Sequence, residues 1–151
     1  MILIIILAIA SGMALSTQAA INGQLGEKIG IVKTALITFG IATVITALLI
    51  LFFEPVYESN LLTVPKWQLT GAFFGILYLL AMVASVPRIG IAVSTVSTIL
   101  GQMIMSIVID TQGWLNNVPI TLNPWRVSAM LCVGVALVFI YKANQSDLQK
   151  Q

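Results

Sequence analysis

The sequence has no histidine, a single cysteine (Cys132) and few charges of either sign. Without histidine and with one thiol it cannot assemble a zinc site, an intramolecular disulfide or a Cys–His dyad. Charged residues make up 8% of the 151, seven Lys plus Arg against five Asp plus Glu. A soluble domain carries about 25%. That shortage excludes a soluble enzyme, whose helices each need a wet face, and a disordered chain, which depends on charge to stay open. The net charge of +2 is spread without a basic cluster. Gripping a nucleic-acid backbone is therefore excluded as well. No linker, low-complexity tract or internal repeat interrupts residues 1–151, so one domain is expected.

What the sequence has in quantity is apolar surface: 59% hydrophobic residues and a mean hydropathy of +1.05. A hydrocarbon core of about 30 Å takes roughly 20 apolar residues to cross as a helix. Five such runs lie near 2–22, 33–53, 67–86, 90–110 and 124–142. Their inner parts hold no charge, so all twelve charged residues fall in loops, termini or span ends. The predicted fold class is all-α, a polytopic membrane protein with five transmembrane helices. The first run lacks a basic leader and exceeds the usual apolar length of a cleavable signal, so it is expected to be a retained helix.

Local signals set the expected boundaries. Asn22-Gly23 and Leu25-Gly26-Glu27-Lys28 are expected to end span one, and Glu54-Pro55 span two. Pro65 and Pro124 suit the first turns of spans three and five, with Asn123 as an N-cap. Pro87-Arg88-Ile89-Gly90 reads as a very short turn that makes spans three and four a tight antiparallel hairpin. Trp125 and Arg126 are placed at the interface, Arg126 snorkelling outward.

Five spans put the termini on opposite sides. Lys28, Lys33, Arg88, Lys142 and Lys150 fall on one side, and Lys66 and Arg126 on the other. The positive-inside rule then favours the N-terminus out and the C-terminus cytoplasmic, with a bias modest enough for dual topology. Trp67, Trp114 and Trp125 all lie on the cation-poor side and read as an aromatic belt.

A helix facing only lipid needs no polar groups, yet these helices carry many, all uncharged. Ser11, Leu15, Gln18 and Asn22 share a face of span one, and Ser94, Thr98, Gln102 and Ser106 a face of span four. Small residues and hydroxyls such as Gly71, Gly75, Thr34, Thr38 and Ser97 suit close helix–helix contact, and the hydroxyls can bond back to their own helix. Gln18, Asn22 and Gln102 differ, because a primary amide needs both donors and its acceptor satisfied. They point either to interhelical hydrogen bonds or to a hydrated cavity, and Tyr78 can join either. No acid lies in mid-membrane: Glu27, Glu54 and Glu58 sit at helix ends or in loops. Asp110, at the outer end of span four, is the remaining candidate if protons are coupled at all; the preferred reading is an interfacial residue that caps the helix or pairs with Arg126. Cys132 reads as a small packing residue.

Gln18-Ala19-Ala20-Ile21-Asn22-Gly23-Gln24-Leu25-Gly26 resembles the motif that ends the first helix in the YdcZ-like family of the drug/metabolite transporter superfamily. Val86-Pro87-Arg88-Ile89-Gly90 is similar to its turn between helices three and four. Gly101-Gln102 with Ile109-Asp110 and Gly113 resembles its fourth-helix pattern. The likeness spans about residues 11–142. It implies a bacterial inner-membrane protein equivalent to half of a ten-helix inverted-repeat transporter. Small multidrug transporters of the superfamily use a first-helix glutamate, and here Gln18 and Asn22 occupy that region instead.

Inverted repeats place a binding site near the midplane and permit two rocking states. The expectation is therefore a secondary exporter of a small metabolite or drug-like solute, acting by alternating access. It would pair as an antiparallel homodimer, or as a heterodimer with a homologous five-span chain. Gln18, Asn22, Tyr78, Ser94, Thr98 and Gln102 would line the cavity, and span five would mainly pack. A non-transporting membrane subunit and a channel are the alternatives. No enzyme activity, cofactor or metal is expected, and the partners are the lipid bilayer and the solute.

Overall fold

The structure is a computed structural model that describes residues 1–55 and 64–148. Glu58 and Lys150 lie outside the described residues. Among the described residues five α-helices follow one another: α1 (Ile2–Ile29), α2 (Ile31–Phe53), α3 (Gly71–Ile89), α4 (Ile91–Gln112) and α5 (Pro124–Leu148). A 3-10 segment, Lys66–Thr70, leads into α3, and another, Trp114–Asn116, follows α4. All five helices are long and apolar enough to cross a membrane. Their outward faces expose large side chains such as Phe53 and Trp125, both 81% exposed. Such a surface is stable only when covered by hydrocarbon or by another chain.

The first helix corrects one sequence expectation. It does not end at Asn22-Gly23 but runs on to Ile29. Gly23 and Gly26 are buried packing positions rather than turn residues. A Cβ at Gly23 would meet Val86 Cγ1 at 2.7 Å, and one at Gly26 would overlap Val83 Cγ1. Glycine here lets α3 approach the α1 backbone, the usual role of small residues between membrane helices. The break comes at Gly30, whose φ of 93° stops α1 in one residue and admits α2 at the next.

Pro87 corrects a second. It lies inside the last turn of α3, not in a turn between helices. It removes one ladder bond, and the helix closes two residues later at Ile89. Gly90, with φ of 78°, is then the whole connection to α4. At the start of α5 the expectation holds: Pro124 is the first helical residue, and Asn123 Oδ1 accepts the Trp125 N–H at 3.0 Å.

The chain divides into two compact units, Met1–Arg88 and Ile89–Gln151. In the first, Ala35, Leu79 and Val83 form a buried cluster with Ile31 and Leu80 against it. Residues 83 and 86 of α3 lie against Gly26 and Gly23 of α1, so these two helices run antiparallel. In the second unit α4 and α5 also pair antiparallel. Asn144 Nδ2, near the end of α5, donates to the Ile89 carbonyl just before α4 at 3.1 Å. Arg126, near the start of α5, meets Asp110 near the end of α4.

Candidate functional site

Most hydroxyls on the spans are satisfied locally. Ser11, Thr17, Thr34, Thr43, Thr46 and Ser85 each donate to a carbonyl three or four residues earlier in their own helix. So do Ser94, to Gly90 at 2.8 Å, and Thr98, to Ser94 at 3.0 Å. A hydroxyl bonded in this way has spent its proton and keeps only acceptor capacity.

Thr38 departs from that pattern. Its Oγ1 on α2 donates across to Asn22 Oδ1 on α1 at 2.9 Å. Asn22 is buried, with 5% of its surface exposed, and its Nδ2 has no hydrogen-bond partner. This amide is therefore half-satisfied: its acceptor is tied to the neighbouring helix and its donors are not. A buried, unpaired donor costs about 1–3 kcal/mol. Thr38 stood among the hydroxyls of span two in the sequence, but nothing there marks it as the partner of Asn22, 16 residues away.

Of the other expected lining residues, Gln18 lies one turn before Asn22 with its side chain exposed, and Tyr78 is half-buried on α3. Both belong to the first unit with Asn22. Among the described residues no hydrogen bond joins the three. Ser94, Thr98 and Gln102 belong to the second unit: Ser94 is 2% exposed, Thr98 half-buried and Gln102 exposed. Thr95, absent from the expected set, keeps a buried Oγ1 without a partner.

The described residues of the second unit include a cleft and a groove. A cleft of about 230 Å³ at the Asp110 end is lined by Met103, Ser106, Ile107, Asp110, Arg126 and Ala129. Within it Arg126 Nη1 meets Asp110 Oδ2 at 2.8 Å. The backbone there is fixed by the following loop, where the Ile120 N–H donates to the Asp110 carbonyl at 2.8 Å and Pro119 closes over Gly113. An open apolar groove of about 350 Å³ runs past Leu100, Ile104, Met130, Gly134 and Val138. Gln102 lines neither. Among the described residues no group of acidic, His or Cys side chains could hold a metal ion.

Among the described residues the arrangement offers neutral hydrogen bonding on the spans and an ion pair at a helix end. Residues 3–139 match the family model described as "Putative inner membrane exporter, YdcZ". No curated protein and no solved structure matches the chain. An exporter family is a non-enzyme kind of membrane protein, and its setting is the lipid bilayer and a solute. With five membrane-length helices and a family match over nearly its whole length, the chain is a multi-pass inner-membrane transporter and belongs to the YdcZ family.

Proposed function

We propose that this chain is a secondary exporter of a small metabolite or drug-like solute that works by alternating access as a dimer. The partner is an antiparallel copy or a homologous five-span chain, so that two halves make one inverted-repeat carrier. Gln18, Asn22, Tyr78, Ser94, Thr98 and Gln102 face the solute. The N-terminus lies outside and the C-terminus in the cytoplasm.

The observation that carries this reading is the state of the amides. Gln18 and Gln102 are exposed on membrane-length helices, and Asn22 keeps an unpaired donor. An amide facing hydrocarbon costs several kcal/mol by transfer arguments, of order 2–7. A water-filled path or a second subunit removes that cost, and a carrier dimer supplies both. Asn22 brings N–H donors to such a path, whereas Ser94, having donated to its own helix, brings an acceptor. Asp110 is held by Arg126, and we assign it to anchoring the end of α4 rather than to coupling.

Counterflow in proteoliposomes tests the proposal. The purified chain, alone or with a homologous partner, is screened with a panel of small neutral and zwitterionic metabolites and organic cations. The expected result is accelerated exchange of at least one solute, reduced tenfold or more in the Gln18→Ala/Asn22→Ala/Gln102→Ala variant. Exchange that persists unchanged in that variant contradicts the lining assignment. Conductance far above carrier rates, without counterflow, contradicts alternating access.

A further inference from the structure

We propose that the cleft between the end of α4 and the start of α5 is a headgroup site for an aminophospholipid, with Arg126 taking the phosphate and Asp110 the primary ammonium. The argument begins with the shape of the ion pair. One guanidinium nitrogen meets one carboxylate oxygen, at 2.8 Å, end-on rather than as a two-pronged fork. The other Asp110 oxygen and the remaining guanidinium N–H groups of Arg126 carry no partner among the described residues. Both side chains remain partly exposed, Arg126 by 41% and Asp110 by 29%. The pair thus has spare donors beside spare acceptors, opening into one cleft.

That charge arrangement selects the class of ligand. A simple anion drawn to Arg126 is repelled by Asp110, and a simple cation drawn to Asp110 is repelled by Arg126. A zwitterion with its two charges a few bonds apart satisfies both without breaking the pair. Charge-assisted bonds of this kind are the stronger ones, and a guanidinium suits phosphate geometry.

Size and position narrow the class further. At about 230 Å³ the cleft is smaller than the roughly 300–1,000 Å³ of sites that enclose drug-sized molecules. It accommodates a headgroup. Its lining is graded: Asp110 and Arg126 lie at one end, and Met103, Ile107 and Ala129 give an apolar floor. From Met103 to Asp110 is seven residues of helix, about 10 Å. Trp114, just beyond the end of α4, and Trp125, in the first turn of α5, are both exposed and mark this as the level of the membrane interface. A lipid at that level carries its charged group to the ion pair and its glycerol and first methylenes to the apolar floor. The backbone bond from Ile120 to the Asp110 carbonyl keeps the acidic end in place.

The test is retention of lipid by the full chain purified from nanodiscs of defined composition, read by native mass spectrometry. Phosphatidylethanolamine carries both recognised groups. Phosphatidylcholine has a quaternary ammonium that cannot donate, and phosphatidylglycerol has no cation. The expected result is severalfold greater retention of phosphatidylethanolamine than of the other two. Retention of phosphatidylethanolamine falls roughly tenfold in Arg126→Gln and in Asp110→Asn, as for loss of a charged hydrogen bond, and Asp110→Asn also removes its advantage over phosphatidylcholine. Because either change removes the ion pair that joins the helix ends, Ala129→Phe serves as a second variant: it fills the cleft and leaves the ion pair in place, and it too is expected to abolish the preference while helical content stays unchanged. Equal retention of the three lipids, or a preference indifferent to all three variants, overturns the proposal. Displacement of the lipid by free phosphoethanolamine only at millimolar concentration supports a lipid occupant. Displacement at micromolar concentration identifies a soluble zwitterion as the occupant and overturns the lipid assignment.

Discussion

Thr38 Oγ1 on α2 donates to Asn22 Oδ1 on α1 at 2.9 Å and leaves the Asn22 amide nitrogen without a partner. The bond ties the first two helices together within the buried part of the first unit. It also fixes which end of the amide remains available. A structural tie needs only the oxygen, so the idle donors are the part that a function can use.

That division of roles separates stability from transport. Thr38→Val leaves both ends of Asn22 unpaired and is expected to destabilise the protein by about 1–3 kcal/mol. Removing both partners, as Asn22→Leu/Thr38→Val, is expected to restore much of that loss, because no unsatisfied group remains. Transport is expected to fall in both variants that lose the Asn22 geometry, including the stable one. Thermal unfolding in detergent, set beside proteoliposome counterflow, checks the pair of outcomes.

The glycines of α1 and α2 are expected to divide sharply. Gly23→Ala and Gly26→Ala drive a methyl into Val86 and Val83, which costs about 1–3 kcal/mol as overpacking. Val83→Ala is expected to rescue part of the Gly26→Ala defect, since the two meet directly. Gly12→Ala and Gly40→Ala meet nothing within 4 Å and are expected to be neutral or stabilising by up to about 1 kcal/mol through helix propensity. If Gly12 or Gly40 is instead the sensitive position, its helix face packs against a second chain.

The Asp110–Arg126 pair is half in water, which bounds its worth. Its coupling energy in a double-mutant cycle of thermal stability is expected near 1 kcal/mol, the upper end for partly exposed pairs, and is expected to shrink with added salt. A coupling of several kcal/mol would place the pair in a drier setting than its exposure indicates.

Topology follows from the cations. Reporter fusions at the C-terminus are expected to read mainly cytoplasmic, because five Lys and Arg fall on that side against two. Two lysines added to the connection between α2 and α3 are expected to invert a measurable fraction of chains. For a homodimer of opposed subunits, the unmodified chain must already show a minor inverted population. A purely cytoplasmic signal from a chain with no partner contradicts that arrangement.

The five spans were legible because long uncharged apolar runs have one stable outcome in a bilayer, a helix with its backbone bonds satisfied internally. The end of α1 was not. Gly23 and Gly26 have the same identity whether they stop a helix or admit a neighbouring one, and only Val83 and Val86, far along the chain, decide between the two. Pro87 misled similarly: a proline can sit in the last turn of a helix as well as beyond it. The polar stripes were visible as residues, but their meaning depended on partners. Ser94 turned back to the carbonyl that opens its own helix, whereas Thr38 reached across to Asn22. The cleft of Asp110 needed Ser106 and Met103 from one helix and Ala129 from another, a convergence that spacing along the chain does not encode.

The most direct test asks whether the amide faces meet water. In a Cys132→Ala background, single cysteines at Gln18, Asn22 and Gln102 are probed in proteoliposomes with a membrane-impermeant maleimide, with Leu7→Cys and Val135→Cys as lipid-facing controls. Thiolates react in water and are inert in hydrocarbon. A hydrated carrier path predicts labelling at positions 18 and 102 many times faster than at the controls, with position 22 labelled slowly and only as the path opens. Labelling at all three positions as slow as at positions 7 and 135 would contradict it and leave these side chains as contacts within a dry bundle.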